Sequence, residues 1–283
     1  MHRLQDCRTF SLSSVWGPNW ESERMRLGAG VDQLSTLVQL RLKTDVGVGS
    51  RWILLAIASY ILWILFAISS HYSVSLPLLT LGQTLGLIGT LAFAASTGLS
   101  FLVYTLINRQ NKHAAREQEV ARQVLREIQS RTAPENLGVR LPLNATEQDF
   151  SNLLERTHEH SALLWSLLVL VPYVGWVSLM VALYLLTESS NAHGRMERIL
   201  FEDLGRTLAA GGFRQPAANS RLPAPRNSMA YLFASAFTLG IVALSWLYVM
   251  IIGETAHFMY HSTLEPELLR TFPEPTAGMR RAA

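Results

Sequence analysis

Charge disappears from this chain in four long stretches. Trp52–Ser70, Leu76–Ile107, Ser161–Thr187 and Ser228–Gly253 contain no Asp, Glu, Lys, Arg or His. They run 19, 32, 27 and 26 residues. About 20 apolar residues in a helix cross a hydrocarbon core of about 30 Å. Helices of this length in a soluble bundle would show a polar face. The pattern predicts an all-α fold: a polytopic transmembrane helix bundle of about four spans, with amphipathic polar helices projecting after spans two and three.

The polar positions divide the chain further. Residues 1–50 form a polar N-terminal segment, in which Val31–Lys43 places Leu34, Leu37, Val38 and Leu42 on one face of an interfacial helix. Residues 1–24 show no apolar signal core, and Met25 is a more natural start. Residues 51–107 read as a hairpin of spans one and two, with Pro77 opening the second. Residues 108–160 are a polar helical loop. Within it Asn108–Arg131 carries Val120, Val124, Leu125 and Ile128 on one face, and Pro134 and Gly138 break it. Thr146 with Asp149 then reads as a capping box for a helix leading into span three.

Span three, residues 161–187, has Pro172-Tyr-Val-Gly175 at its midpoint. A kinked single span is the main expectation. The alternative is a re-entrant hairpin that returns to its starting side, which needs its turn buried in protein. Residues 188–227 hold an amphipathic helix, Ser189–Ala210, stopped by Gly211-Gly212, and a Pro-rich linker. Residues 228–253 are span four. Residues 254–283 are a tail with one short helical piece.

Span two carries Gly82, Gly86, Thr90, Ala94 and Gly98 at a spacing of four. A stripe of small residues lets helix backbones approach closely in lipid. It predicts packing against span one, another span, a second copy or a membrane partner.

A repeat joins the helices after spans two and three. Tyr104, Leu106, Asn111, His113, Glu117 and Arg126 recur 80 residues later as Tyr184, Leu186, Asn191, His193, Glu197 and Arg206. Tyr248 and His257 echo it faintly after span four. His and Glu at i and i+4 share a helix face, as do His257 and His261. The plainer reading is a local pair that stiffens a polar helix. The sharper one is a transition-metal site built from His113, Glu117, His193, Glu197, His257 and His261. With four single spans, His113 and His193 emerge on opposite faces and share no ion. Only a re-entrant span three brings all of these residues to one side.

Composition narrows the chemistry. The chain is 49% hydrophobic and 16% charged, against about 25% charged in soluble domains. Its net charge of +3 is spread near span ends and makes no nucleic-acid face. Positive-inside counting puts ten Arg and Lys on the side of both termini against six on the other. That predicts a plasma-membrane protein with a cytoplasmic N-terminus. The lone Cys7 excludes an intrachain disulfide and a Cys-based zinc site. No phosphate-binding loop or nucleophile elbow is present. Ionisable groups inside spans mark proton relays, and none lies within these four.

No catalytic residue and no cofactor are assigned on this basis, apart from the transition metal just described. The leading expectation is a non-enzymatic membrane interaction or assembly protein. A small-solute channel or transporter is one alternative. A metal-dependent membrane enzyme using the His/Glu pairs at the span ends is the other.

Overall fold

The computed structural model describes residues 31–45, 49, 52–72, 78–132, 136–156, 159–171, 174–216 and 224–272. Residues 1–24 and Cys7 lie outside them. All regular structure among the described residues is helical. In chain order the helices are α1 (Val31–Thr44), α2 (Trp52–Tyr72), α3 (Leu78–Arg131), α4 (Leu137–Arg156), α5 (Ala162–Leu170), α6 (Val174–Ala210), α7 (Ser228–Phe237) and α8 (Ile241–Thr271). By length and composition two stretches can cross a membrane, Gly89–Arg131 of α3 and Ile241–Thr271.

Helices α2 and α3 form an antiparallel hairpin. Trp63 Nε1 donates to Ser96 Oγ, Trp52 meets Phe101 at 5.7 Å between ring centroids, and Phe66 lies over Gly89. The small-residue stripe splits in this setting. Gly98 is pressed by the Leu55 side chain, whereas Gly86, Thr90 and Ala94 face outward. Gly82 lies in the same helix.

The third and fourth apolar runs are not single helices. The third divides into α5 and α6, and the fourth into α7 and α8. Direction follows from the contacts. Ser100 Oγ donates to the Ser166 carbonyl, and Asn111 Nδ2 to the His160 carbonyl, so α5 runs against α3. Trp176 sits beside Tyr60 of mid-α2, and Gln110 Nε2 donates to Ser190 Oγ, so α6 runs with α3. The chain thus turns between Val171 and Val174 and goes back. The run is two antiparallel helices and not one kinked helix. Gly175 makes the turn close, because a Cβ there would strike the Val169 carbonyl oxygen.

The second turn was not foreseen. Thr238 caps α7, Leu239 and Gly240 take φ of 51° and 97°, and α8 leaves in the opposite sense. Gly fits this left-handed position without the Cβ clash that other residues suffer. Tyr60 touches both tips: its ring meets Trp176 edge-on at 5.0 Å and its hydroxyl donates to the Leu239 carbonyl at 3.2 Å.

Each short helix is started in the same way. Ser161 Oγ accepts from Leu164 N, and Asn227 Oδ1 accepts from Ala230 N. These caps satisfy backbone donors that the first helical turn leaves free. The residue before each cap is held by an Asn of the preceding long helix. Asn111 binds the His160 carbonyl at 2.8 Å, and Asn191 binds the Arg226 carbonyl at 2.7 Å.

Two further expectations change. Residues 254–271 are not a tail with a short helical piece, but the second half of α8, with Pro266 inside it. Thr146 does not open a helix. It lies within α4, whose Pro142 also sits inside, and shares a hydrogen bond with Thr207 of α6.

Two large apolar cores result among the described residues, with a small third cluster at Ala121, Leu153 and Leu200. One contains Leu102, Leu106, Leu179, Leu183, Leu186, Trp246, Leu247 and Met250. The other contains Leu34, Val124, Ile128, Leu204, Leu208, Leu264 and Leu268. A polar layer separates them.

Candidate metal centre

Helices α3, α6 and α8 leave the first core side by side and in the same sense. On α3 that core ends at Ile107 and the second begins at Val120. On α6 the limits are Leu186 and Leu204, and on α8 they are Ile251 and Leu264. His113 and Glu117, His193 and Glu197, and His257 and His261 occupy these three gaps. All six converge in the space between the helices, the arrangement that single spans would forbid.

The distances are short. Glu117 Oε2 lies 2.6 Å from His193 Nε2, 3.6 Å from His113 Nε2 and 3.9 Å from His261 Nε2. Glu197 places Oε1 3.0 Å from His261 Nε2 and Oε2 3.6 Å from His257 Nε2. The Nε2 atoms of His113 and His257 face each other at 3.2 Å. The donor atoms form two overlapping quartets: His113, Glu117, His193 and His257, and Glu117, Glu197, His257 and His261. Within each quartet they lie within 4.8 Å of one another.

Burial is nearly complete. Glu197 and His261 are fully buried, and His257, with 13% of its side chain exposed, is the most open of the six. Among the described residues, Glu117 Oε1, both Glu197 oxygens and His261 Nε2 are buried without an aligned hydrogen-bond partner. Leaving such groups unpaired costs about 1–3 kcal/mol each. A cation held among them would satisfy them together.

Burial opposes the His193 imidazolium, and the adjacent Glu117 carboxylate outweighs it and holds His193 above its ordinary value. Burial and the like charge of Glu117 push Glu197 up. His193 and Glu197 thus hold a proton more tightly than the free groups do.

An outer layer orients the donors. Asp45, just past α1, stands 3.1 Å from His113 Nδ1, which Arg116 also reaches at 3.4 Å, so both hold the outer edge of the ring while Nε2 faces the cluster. Glu265 Oε1 stands 3.5 Å from His261 Nδ1 on the corresponding outer side, without a hydrogen bond between them. Buried Arg116 ties the two carboxylates together, at 2.9 Å to Asp45 and 2.8 Å to Glu265. Burial raises Asp45 despite the Arg116 charge. On the side of the first core, Arg109 pairs with Glu254 at 2.5 Å and lies over the Phe258 ring.

Sequence reasoning found the six inner residues and missed this outer layer. Glu265, four residues past His261, carried a signal in its spacing. Asp45 carried none, because only the fold brings α1 to the cluster. The remaining repeat residues serve elsewhere. Asn111 and Asn191 hold the starts of α5 and α7, while Tyr104 is exposed and Tyr184 packs against the first core. No protein-family model, no curated protein and no solved structure matches this chain.

Proposed function

We propose that this chain is a metal-dependent membrane protein, with a transition-metal centre at the boundary where its helices leave the bilayer. The observation that carries the reading is the convergence of four imidazoles and two carboxylates from three helices, with Glu117 Oε1 buried without a hydrogen-bond partner. Imidazole with carboxylate suits first-row transition metals. Outer carboxylates on ligating His are the usual companions of such sites.

In this reading the α2–α3 hairpin crosses the bilayer. The α5–α6 and α7–α8 hairpins enter from the polar side and return. Helices α5 and α7 have 9 and 10 residues, about half of what a crossing needs. Exposed Ile61, Ile64 and Leu65 on α2, Phe93 on α3 and Phe233 and Phe237 on α7 form the apolar outer surface such a placement requires. The helices after both turns emerge on one side, together with nearly all Lys and Arg near the spans. Positive-inside bias then favours a cytoplasmic centre. The matched roles of Asn111 and Asn191 support an internal repeat of short helix in, long helix out.

The assembly reading keeps one support: Gly86, Thr90 and Ala94 are exposed on the single chain, as a surface for a second copy would be. It leaves the buried donors unexplained, and so it ranks second.

Metal content decides the matter. Full-length protein purified in detergent without chelator is expected to carry iron, manganese, cobalt, copper or zinc in stoichiometric amount. His193→Ala should lower that content. Protein that arrives metal-free and takes up none of these ions would refute the reading.

A further inference from the structure

We infer that the centre holds two divalent transition ions bridged by Glu117, a refinement that rests on the metal reading above. A single ion with bonds of about 2.1 Å in tetrahedral geometry spaces its donors about 3.4 Å apart. The separations within the cluster bracket that value: 2.6 Å for Glu117–His193, 3.0 Å for Glu197–His261, 3.2 Å for His113–His257, 3.6 Å for Glu117–His113 and Glu197–His257, and 3.9 Å for Glu117–His261. They are spread over two overlapping quartets. One tetrahedral shell uses four donors, and six are present. Pairs of ions in proteins sit about 3.5–4 Å apart, which suits quartets that share two members.

The assignment follows from which residues are shared. His257 offers one nitrogen to the cluster and serves one ion. It is nearer His113 than Glu197, so it completes the first position with His113, His193 and Glu117. The second position has His261, Glu197 and Glu117, whose Oε2 lies 3.9 Å from His261 Nε2. Glu117 Oε1, buried without a hydrogen-bond partner, is the atom a bridge needs. The second ion then has three protein ligands and an open site. Three ligands and an open position distinguish catalytic from structural metal sites. The open position takes water or a small oxygen-donor ligand, and the first ion stays closed.

The test is a cobalt(II) titration of chelator-treated full-length protein in detergent, followed by visible absorption. The expected end point is about two equivalents for the unaltered protein and about one for Glu197→Gln, which keeps the shape of the side chain. His261→Ala should match Glu197→Gln. Manganese(II) gives an independent readout. At two equivalents the isolated-ion paramagnetic resonance spectrum should give way to that of an exchange-coupled pair, and in Glu197→Gln it should not. An end point at one equivalent for the unaltered protein, or no coupling at two, overturns the two-ion inference and leaves the metal reading standing. No uptake of either ion removes both.

Discussion

The α2–α3 hairpin and the two hairpins that follow differ by a factor of two in reach. Helix α2 has 21 residues, and it continues for twelve of them beyond Tyr60, the level at which the other two hairpins turn. Helices α5 and α7 stop there after 9 and 10. The outgoing helices of all three hairpins are nevertheless long and polar at their ends, and they finish on one side. A short helix in and a long helix out is therefore a way to place three His-bearing helices in parallel. Three consecutive full crossings would alternate in direction and scatter the same residues.

The most decisive way to break this comparison is topological. In a Cys7→Ser background, single cysteines at exposed Ser130 on α3 and Arg198 on α6 should both react with an impermeant thiol reagent from the same side. Labelling from opposite sides would reinstate a full crossing between them and separate His113 from His193.

Stability measurements come next. Gly175→Ala should cost about 3 kcal/mol, since its Cβ meets backbone at Val169. Gly98→Ala in the full-length hairpin meets only the Leu55 side chain and should cost about 1 kcal/mol. Gly240→Ala forces a Cβ into φ of 97° and should cost about 1–2 kcal/mol. Thermal unfolding in detergent would rank them. Equal losses at Gly175 and Gly98 would mean that the approach of Gly175 to Val169 is not tight.

The two half-length hairpins can also be set against each other. Asn191 both donates to the Arg226 carbonyl and accepts from its backbone N–H, whereas Asn111 makes one such bond. Asn191→Ala should therefore cost about 2 kcal/mol and Asn111→Ala about 1 kcal/mol. The reverse order would break the parallel between the two starts.

The smallest effect belongs to the outward face of α3. Among the described residues nothing lies within 4 Å of a Cβ added at Gly86, so Gly86→Ala should leave the chain slightly more stable, by up to about 1 kcal/mol. A loss instead would show that a second copy or partner covers that face.

How much was legible in the sequence varied with the physics. The helical class followed from uncharged runs and periodicity. The six donors stood out because His and Glu, or two His, recur four residues apart, and α-helical spacing alone puts them on one face. Their meeting depended on the number of times the chain crosses, and hydropathy does not report that. A run of 27 apolar residues is equally compatible with one helix or two short ones. Pro172 and Gly175 at least marked a break in the third run. Gly240 marked nothing in the fourth, because glycine is common in apolar helices and its backbone angle is invisible in a letter. The membership of Asp45 was beyond reach, since α1 meets α3 and α8 only after the whole bundle has formed.

Tyr60 has a consequence for the order in which this molecule is made. One phenol ring supplies a seat for the tip of the α5–α6 hairpin and a hydrogen bond for the tip of the α7–α8 hairpin. Neither contact can form until α2 is present, and α2 precedes both in the chain. Synthesis from the N-terminus thus delivers this seat before the parts that rest on it. A Cβ at Gly240 would lie 3.6 Å from the Trp176 ring, so the two later hairpins meet each other at the same point where both meet Tyr60.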